Sequence, residues 1–132
     1  MKELIGKKIT GIFVNEYQSE LIFNTDQGLI GYYTLTDCCD ETWFADIIGV
    51  SALLGGVVQS SEEVPMVEIS DNRTRQEIDK IYGIKIKTDK GYVDIIFRNS
   101  SNGYYNGSIE LFIPEEAILF DKMTAITDDW HA

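Results

Sequence analysis

A strand–turn–strand unit that occurs twice constrains this chain more than any other feature. Phe23-Asn24-Thr25-Asp26-Gln27-Gly28-Leu29-Ile30 aligns with Ile86-Lys87-Thr88-Asp89-Lys90-Gly91-Tyr92-Val93 at a constant separation of 63 residues. In each copy a glycine closes a polar turn, where the backbone of a tight hairpin needs positive φ. Strands are expected on both sides of the two turns. Lys8 to Val14, Glu20 to Asn24 and Leu29 to Thr36 flank the first. Ile81 to Thr88 and Tyr92 to Asn99 flank the second, with Val93, Ile95 and Phe97 alternating onto one face and Arg98 onto the other. Ser108 to Ile113 places Ile109, Leu111 and Ile113 on one face. Period-2 alternation of this kind marks half-buried antiparallel strands. The expected class is a β-rich α+β fold, with antiparallel sheets built from two hairpin units and one short helix.

That helix is expected after Cys39. Phe44, Ile47 and Ile48 fall at helical spacing within Glu41–Ile48, with Asp40 placed as N-cap and Gly49 as stop. A further apolar piece, Val50 to Leu54, ends at Gly55-Gly56. Residues 70–79 are polar and aperiodic, and read as the connection between halves 1–69 and 80–113 of one domain, 1–132, with a tail over 114–132. Extended without gaps, the repeat sets Asp37 opposite Ser100 and Cys38 opposite Ser101. Two readings stand. Either a common turn recurs by chance, or the hairpins are a true repeat whose end loops converge on one site.

Composition narrows the functions. With 44% hydrophobic and 25% charged residues, the 132-residue chain has the average make-up of a globular domain. Its 22 acidic against 11 basic residues leave a net charge of −11, which argues against nucleic acid and against anionic membrane surfaces. The segment Met1 to Lys8 lacks the apolar stretch of a signal peptide, so a cytoplasmic protein is expected. In that setting the sequons at Asn72, Asn99 and Asn106 carry no meaning.

Two loops carry side chains suited to chemistry. The first, Asp37-Cys38-Cys39-Asp40-Glu41-Thr42-Trp43, joins two thiols to three carboxylates. Zinc sites space their cysteines two to four apart, and adjacent thiolates diverge; His131 is the chain's one histidine. Flanking acids also raise a thiol's pKa. No metal site, cofactor or catalytic nucleophile is expected. The second loop, Arg98 to Gly107, suits a small polar ligand. Asn99, Ser100, Ser101 and Asn102 can read hydrogen-bonding edges, Tyr104 and Tyr105 offer stacking faces, and Arg98 offers a fork for phosphate. The other two arginines, Arg73 and Arg75, lie in the central connection.

Both loops also resemble a known family. Asp37-Cys38-Cys39-x-x-Thr42-Trp43-Phe44, with Leu53-Leu54-Gly55-Gly56 after it, is similar to small proteins of bacteriophages and of prophage-carrying Firmicutes. Thr88-Asp89-Lys90-Gly91 through Arg98-Asn99-Ser100-Ser101-Asn102-Gly103-Tyr104-Tyr105-x-Gly107 resembles the same family, and the likeness spans roughly residues 4–112. Asp40 stands where that family favours serine, and Asn106 where it favours glycine. The resemblance carries no activity. It implies a phage setting, in which small acidic proteins commonly inhibit host defence, some as oligomeric sponges for nucleotide-derived signals of the Thoeris anti-defence type.

Three functions are therefore weighed. The first is a homo-oligomeric sponge that holds a nucleotide-derived signal without cleaving it. It would use Arg98, Asn99, Ser100, Ser101, Asn102, Tyr104 and Tyr105, with Asp37 and Trp43 nearby. The second is an inhibitor that binds a host defence protein. The third, ranked last, is a metal-dependent phosphodiesterase built on Asp37, Asp40 and Glu41.

Overall fold

The computed structural model describes residues 1–37, 39–70, 78–103, 105–116 and 122–132, the side chain of Ser70 excepted. It is built from two five-stranded antiparallel sheets. A 3₁₀ turn over Lys2–Leu4 leads into β1 (Ile9–Asn15), β2 (Glu20–Thr25) and β3 (Gly28–Leu35). β4 (Glu41–Ile48), a single helical turn α1 (Val50–Leu53), β5 (Val58–Ser70), β6 (Ile78–Thr88), β7 (Gly91–Ser101) and β8 (Ser108–Phe112) follow. β9 (Met123–Ala125) and β10 (Trp130–His131) end the chain. The first sheet runs β8-β3-β2-β1-β9 and the second β10-β4-β7-β6-β5.

Between the sheets lies one core. Ile12, Leu21, Phe23 and Tyr32 come from the first sheet and Phe44, Ile84, Ile95 and Phe97 from the second. Each fully buried large apolar side chain contributes roughly 1.5–3 kcal/mol. Rings of neighbouring strands in the second sheet pack on one another, Phe44 edge-on to Phe97 at 6.4 Å and Tyr82 stacked on Phe97 at 4.9 Å.

The recurrence of the turn is a structural duplication. Gln27 and Lys90 each donate a backbone N–H of 3.0 Å to the hydroxyl of the turn threonine, Thr25 and Thr88. Asp26 accepts from the Lys8 amide at 2.9 Å, and Asp89 from the Val57 amide at 2.8 Å. The likeness runs back to the chain's first residues. Leu4 and Leu53 are both fully buried, Gly6 and Gly55 have φ of +84° and +80°, and β1 and β5 carry equivalent bulges at Ile9/Gly11 and Val58/Ser60. Matched backbone bonds interlock the units: Gly6 N–H to Val58 O at 2.8 Å and Gly55 N–H to Ile9 O at 2.7 Å, with Ile9 N–H to Gly56 O and Val58 N–H to Lys7 O both at 3.0 Å. The second unit thus begins at Val50. Ser70 pairs with Ile78 on neighbouring strands of one sheet, so the segment 70–79, expected between two halves, falls within the second unit. Each unit contributes a three-strand meander and sends its fourth strand to the other unit's sheet, β4 to β7 and β8 to β3.

One expected element is corrected. Glu41–Ile48 is strand β4, not a helix, and the single helical turn is the next segment, Val50–Leu53. A bulge between Phe44 and Asp46 explains the misleading spacing. In a regular strand Phe44 and Ile47 face opposite ways, but one extra residue turns both inward. Gly49, expected as a helix stop, precedes the helical turn with φ of +91°. β5 went unread because its polar run Gln59 to Glu63 lies on a sheet edge and shows little alternation. The tail 122–132 adds an edge strand to each sheet.

Candidate functional site

The two loops meet because β4 pairs with β7. Glu41 lies opposite Ser100, Thr42 opposite Asn99 and Trp43 opposite Arg98. Alternation then divides the expected site residues between two faces.

The inward set braces the loops. Asn99 is fully buried and donates from Nδ2 to Asp40 Oδ2 at 2.6 Å and to Thr42 Oγ1 at 3.0 Å. Asp40 Oδ1 in turn accepts the Asp37 amide at 2.5 Å. Asp40 therefore ties strand to loop rather than capping a helix. Ser101 is also buried, its Oγ accepting the Gly103 amide at 3.0 Å. Lys80, which sequence reasoning did not single out, holds the second loop in place. Only 5% exposed, it donates from Nζ to Gly103 O at 3.0 Å, Tyr105 O at 2.9 Å and Asn106 Oδ1 at 2.9 Å. The Tyr82 hydroxyl accepts the Gly107 amide at 2.9 Å. A lysine directly after the polar, aperiodic stretch 70–79 offers no periodic signal that would mark it as buried.

The outward set is available to a ligand. Trp43 and Arg98 are direct cross-strand neighbours on the face away from the core, and Ile81 and Val67 extend the row across β6 and β5. The Arg98 side chain is 35% exposed and lies 3.7 Å from Asp79. Ser100 is half-buried beside Glu41, Asp37 and Asn102 are exposed, and Tyr105 is half-buried. Tyr104, Cys38, Arg73 and Arg75 lie outside the described residues.

Beside Trp43 a groove of about 500 Å³ opens, lined by Tyr17, Gln18, Thr36, Glu41 and Thr42. Gln18, with φ of +54°, accepts the Phe44 amide on its carbonyl at 2.8 Å and so fixes the β1–β2 turn against β4. Tyr17 is 73% exposed, and its hydrogen bond to Glu16 pushes the phenol above its ordinary pKa. Tyr17 and Gln18 were not expected at the site; nothing in a short turn sequence announces the strand it will touch. Among the described residues no three His, Cys, Asp or Glu side chains gather in metal-binding geometry. Cys39 is exposed, and His131 meets Asp46 at 2.5 Å.

A duplicated β-sandwich with an aromatic–guanidinium face is thus the setting for comparison with known proteins. Residues 2–111 match DUF7448, a domain of unknown function, and the chain belongs to that family. It is also 30% identical over 78 residues to an uncharacterized protein of Acanthamoeba polyphaga mimivirus, a match covering 57% of this chain and 61% of that relative. The chain thus spans about three-fifths of the viral protein's length. No solved structure matches significantly. No helix among the described residues is long and apolar enough to cross a membrane.

Proposed function

We propose that this is a viral-type binding protein that sequesters a small, phosphorylated, nucleotide-derived signal without cleaving it, countering host defence from within the host cytoplasm. The observation that carries the reading is the direct pairing of Trp43 with Arg98 on an outward face, beside the groove at Tyr17. An indole accepts a base by stacking, and a guanidinium one strand away reads phosphate with a planar fork. Asn99, Asp40 and Lys80 serve beneath, holding both loops so that the face is already formed before a ligand arrives. Self-association into a homo-oligomer belongs to the same reading, since grooves repeated by symmetry raise the number of signals held per particle.

The test is to incubate the protein with cyclic nucleotides and ADP-ribose isomers, denature it by heat and analyse what is released. An intact ligand supports sequestration; an altered one points to an enzyme. Trp43→Ala and Arg98→Ala should each weaken binding roughly ten- to a hundred-fold, from about 1–3 kcal/mol for stacking and about 1.5–3 kcal/mol for a charged hydrogen bond. Tyr105→Ala tests whether the second loop's ring also stacks. Absence of any nucleotide binding by the unsubstituted protein would transfer the reading to inhibition of a host protein.

A further inference from the structure

The duplication creates two equivalent slots on the open sides of the sandwich, and the described residues fill one of them. The filled slot lies between the outer edges of β1 and β4. β9 pairs with β1 at Phe13 to Asn15, and β10 pairs with β4 at Asp46 and Ile47. Between them Ile126 is 4% exposed in the core and donates its amide to Ile12 O at 2.8 Å, and Trp130 packs against the same cluster. Asp129 closes this plug on the start of the second unit, accepting the Gly49 and Val50 amides at 2.8 and 3.0 Å.

The counterpart slot lies between the outer edges of β5 and β8, the two strands that end their sheets. It holds a cavity of about 390 Å³ whose walls include Tyr82, Phe97, Ile109 and Leu111. Glu3 and Glu63 stand at its polar side, with the Tyr32 hydroxyl donating to Glu3 at 2.9 Å. Matching of the two strands through their equivalent bulges makes Glu62, Glu63 and Val64 of β5 the counterparts of the β1 residues that β9 covers.

We infer that this slot receives an extended peptide segment of another protein, added as a strand on β5 with one apolar or aromatic side chain in the cavity and basic residues against Glu3, Glu62 and Glu63. The fold itself supplies the precedent, because its own tail does this in the equivalent slot. Charge selects the partner, since the edge is acidic and the whole chain carries −11. A second copy pairing β5 to β5 is disfavoured, because Glu62, Glu63 and Glu68 would face like charges and Pro65 has no amide to donate. The mode is strand addition, in which main-chain bonds give affinity and alternate side chains give register. This surface is separate from the Trp43–Arg98 face, so either can fail without the other.

The test uses a fluorescent octapeptide alternating lysine with isoleucine and carrying one tryptophan, titrated into the full chain. Expected is saturable binding with slowed amide exchange at Glu62, Glu63 and Val64. Glu63→Lys and Leu111→Lys, both at exposed positions, should each weaken it at least ten-fold. A peptide of the same charge with proline at alternate positions should not bind. The inference is overturned if the octapeptide fails to bind, if the proline peptide binds equally well, if either variant binds as the parent does, or if spermidine alone displaces the octapeptide completely.

Discussion

Lys80 shows at the level of one residue how the loops are held. Among the described residues its buried ammonium donates to three neutral oxygens, and these bonds work against its desolvation. Lys80→Met keeps the hydrocarbon stem but leaves those oxygens without their donor. Urea unfolding should show a loss of about 2–4 kcal/mol, with weakened protection in residues 102–107. Tyr32 gives a pH-dependent counterpart. Burial first, and then the bond to Glu3, push its phenol well above the ordinary value of 10.0. The folded state therefore keeps the proton where the unfolded chain releases it. This stabilisation is fully present below about pH 10 and declines as pH rises beyond it. Tyr32→Phe should flatten that alkaline decline, read from urea midpoints at about pH 9 and pH 11.

At the scale of elements, the two hairpin turns use the same parts and should respond alike. Thr25 donates to Gly28 O at 2.7 Å and Thr88 to Ala52 O at 2.7 Å, while each accepts a turn amide. Thr25→Val and Thr88→Val should each cost about 1–2 kcal/mol in chemical denaturation. A cost at one turn and none at the other would break the functional equivalence of the repeat. These hairpins were legible because alternation and turn chemistry agree within a few residues. β4 was not, since a bulge imitates helical spacing in Phe44, Ile47 and Ile48. β5 was hidden for a different reason: an irregularity between Val64 and Val67 breaks the alternation of its apolar residues Val64, Met66, Val67 and Ile69, all of them exposed on an edge strand.

For the whole molecule, closure depends on the tail. Ile126 and Trp130 fill a slot between two strands of different sheets, far from them in sequence. Ile126→Ala should lower stability by about 2–4 kcal/mol, measured as a shift in the urea midpoint with an unchanged slope. Such a loss would identify residues 122–132 as part of the folding unit rather than an appendage.

The chain's own pattern determined the strand-rich class, the two hairpins, the outward placement of Arg98 and the two loops worth attention, because each depends on neighbours within a few residues. Only the tertiary structure decided which strands meet. The exchange of β4 and β8 between sheets set Trp43 beside Arg98, turned Asn99 and Asp40 into a buried brace, and made the tail a plug. Those outcomes follow from pairing across tens of residues, where a side chain's role depends on a partner that no local periodicity names.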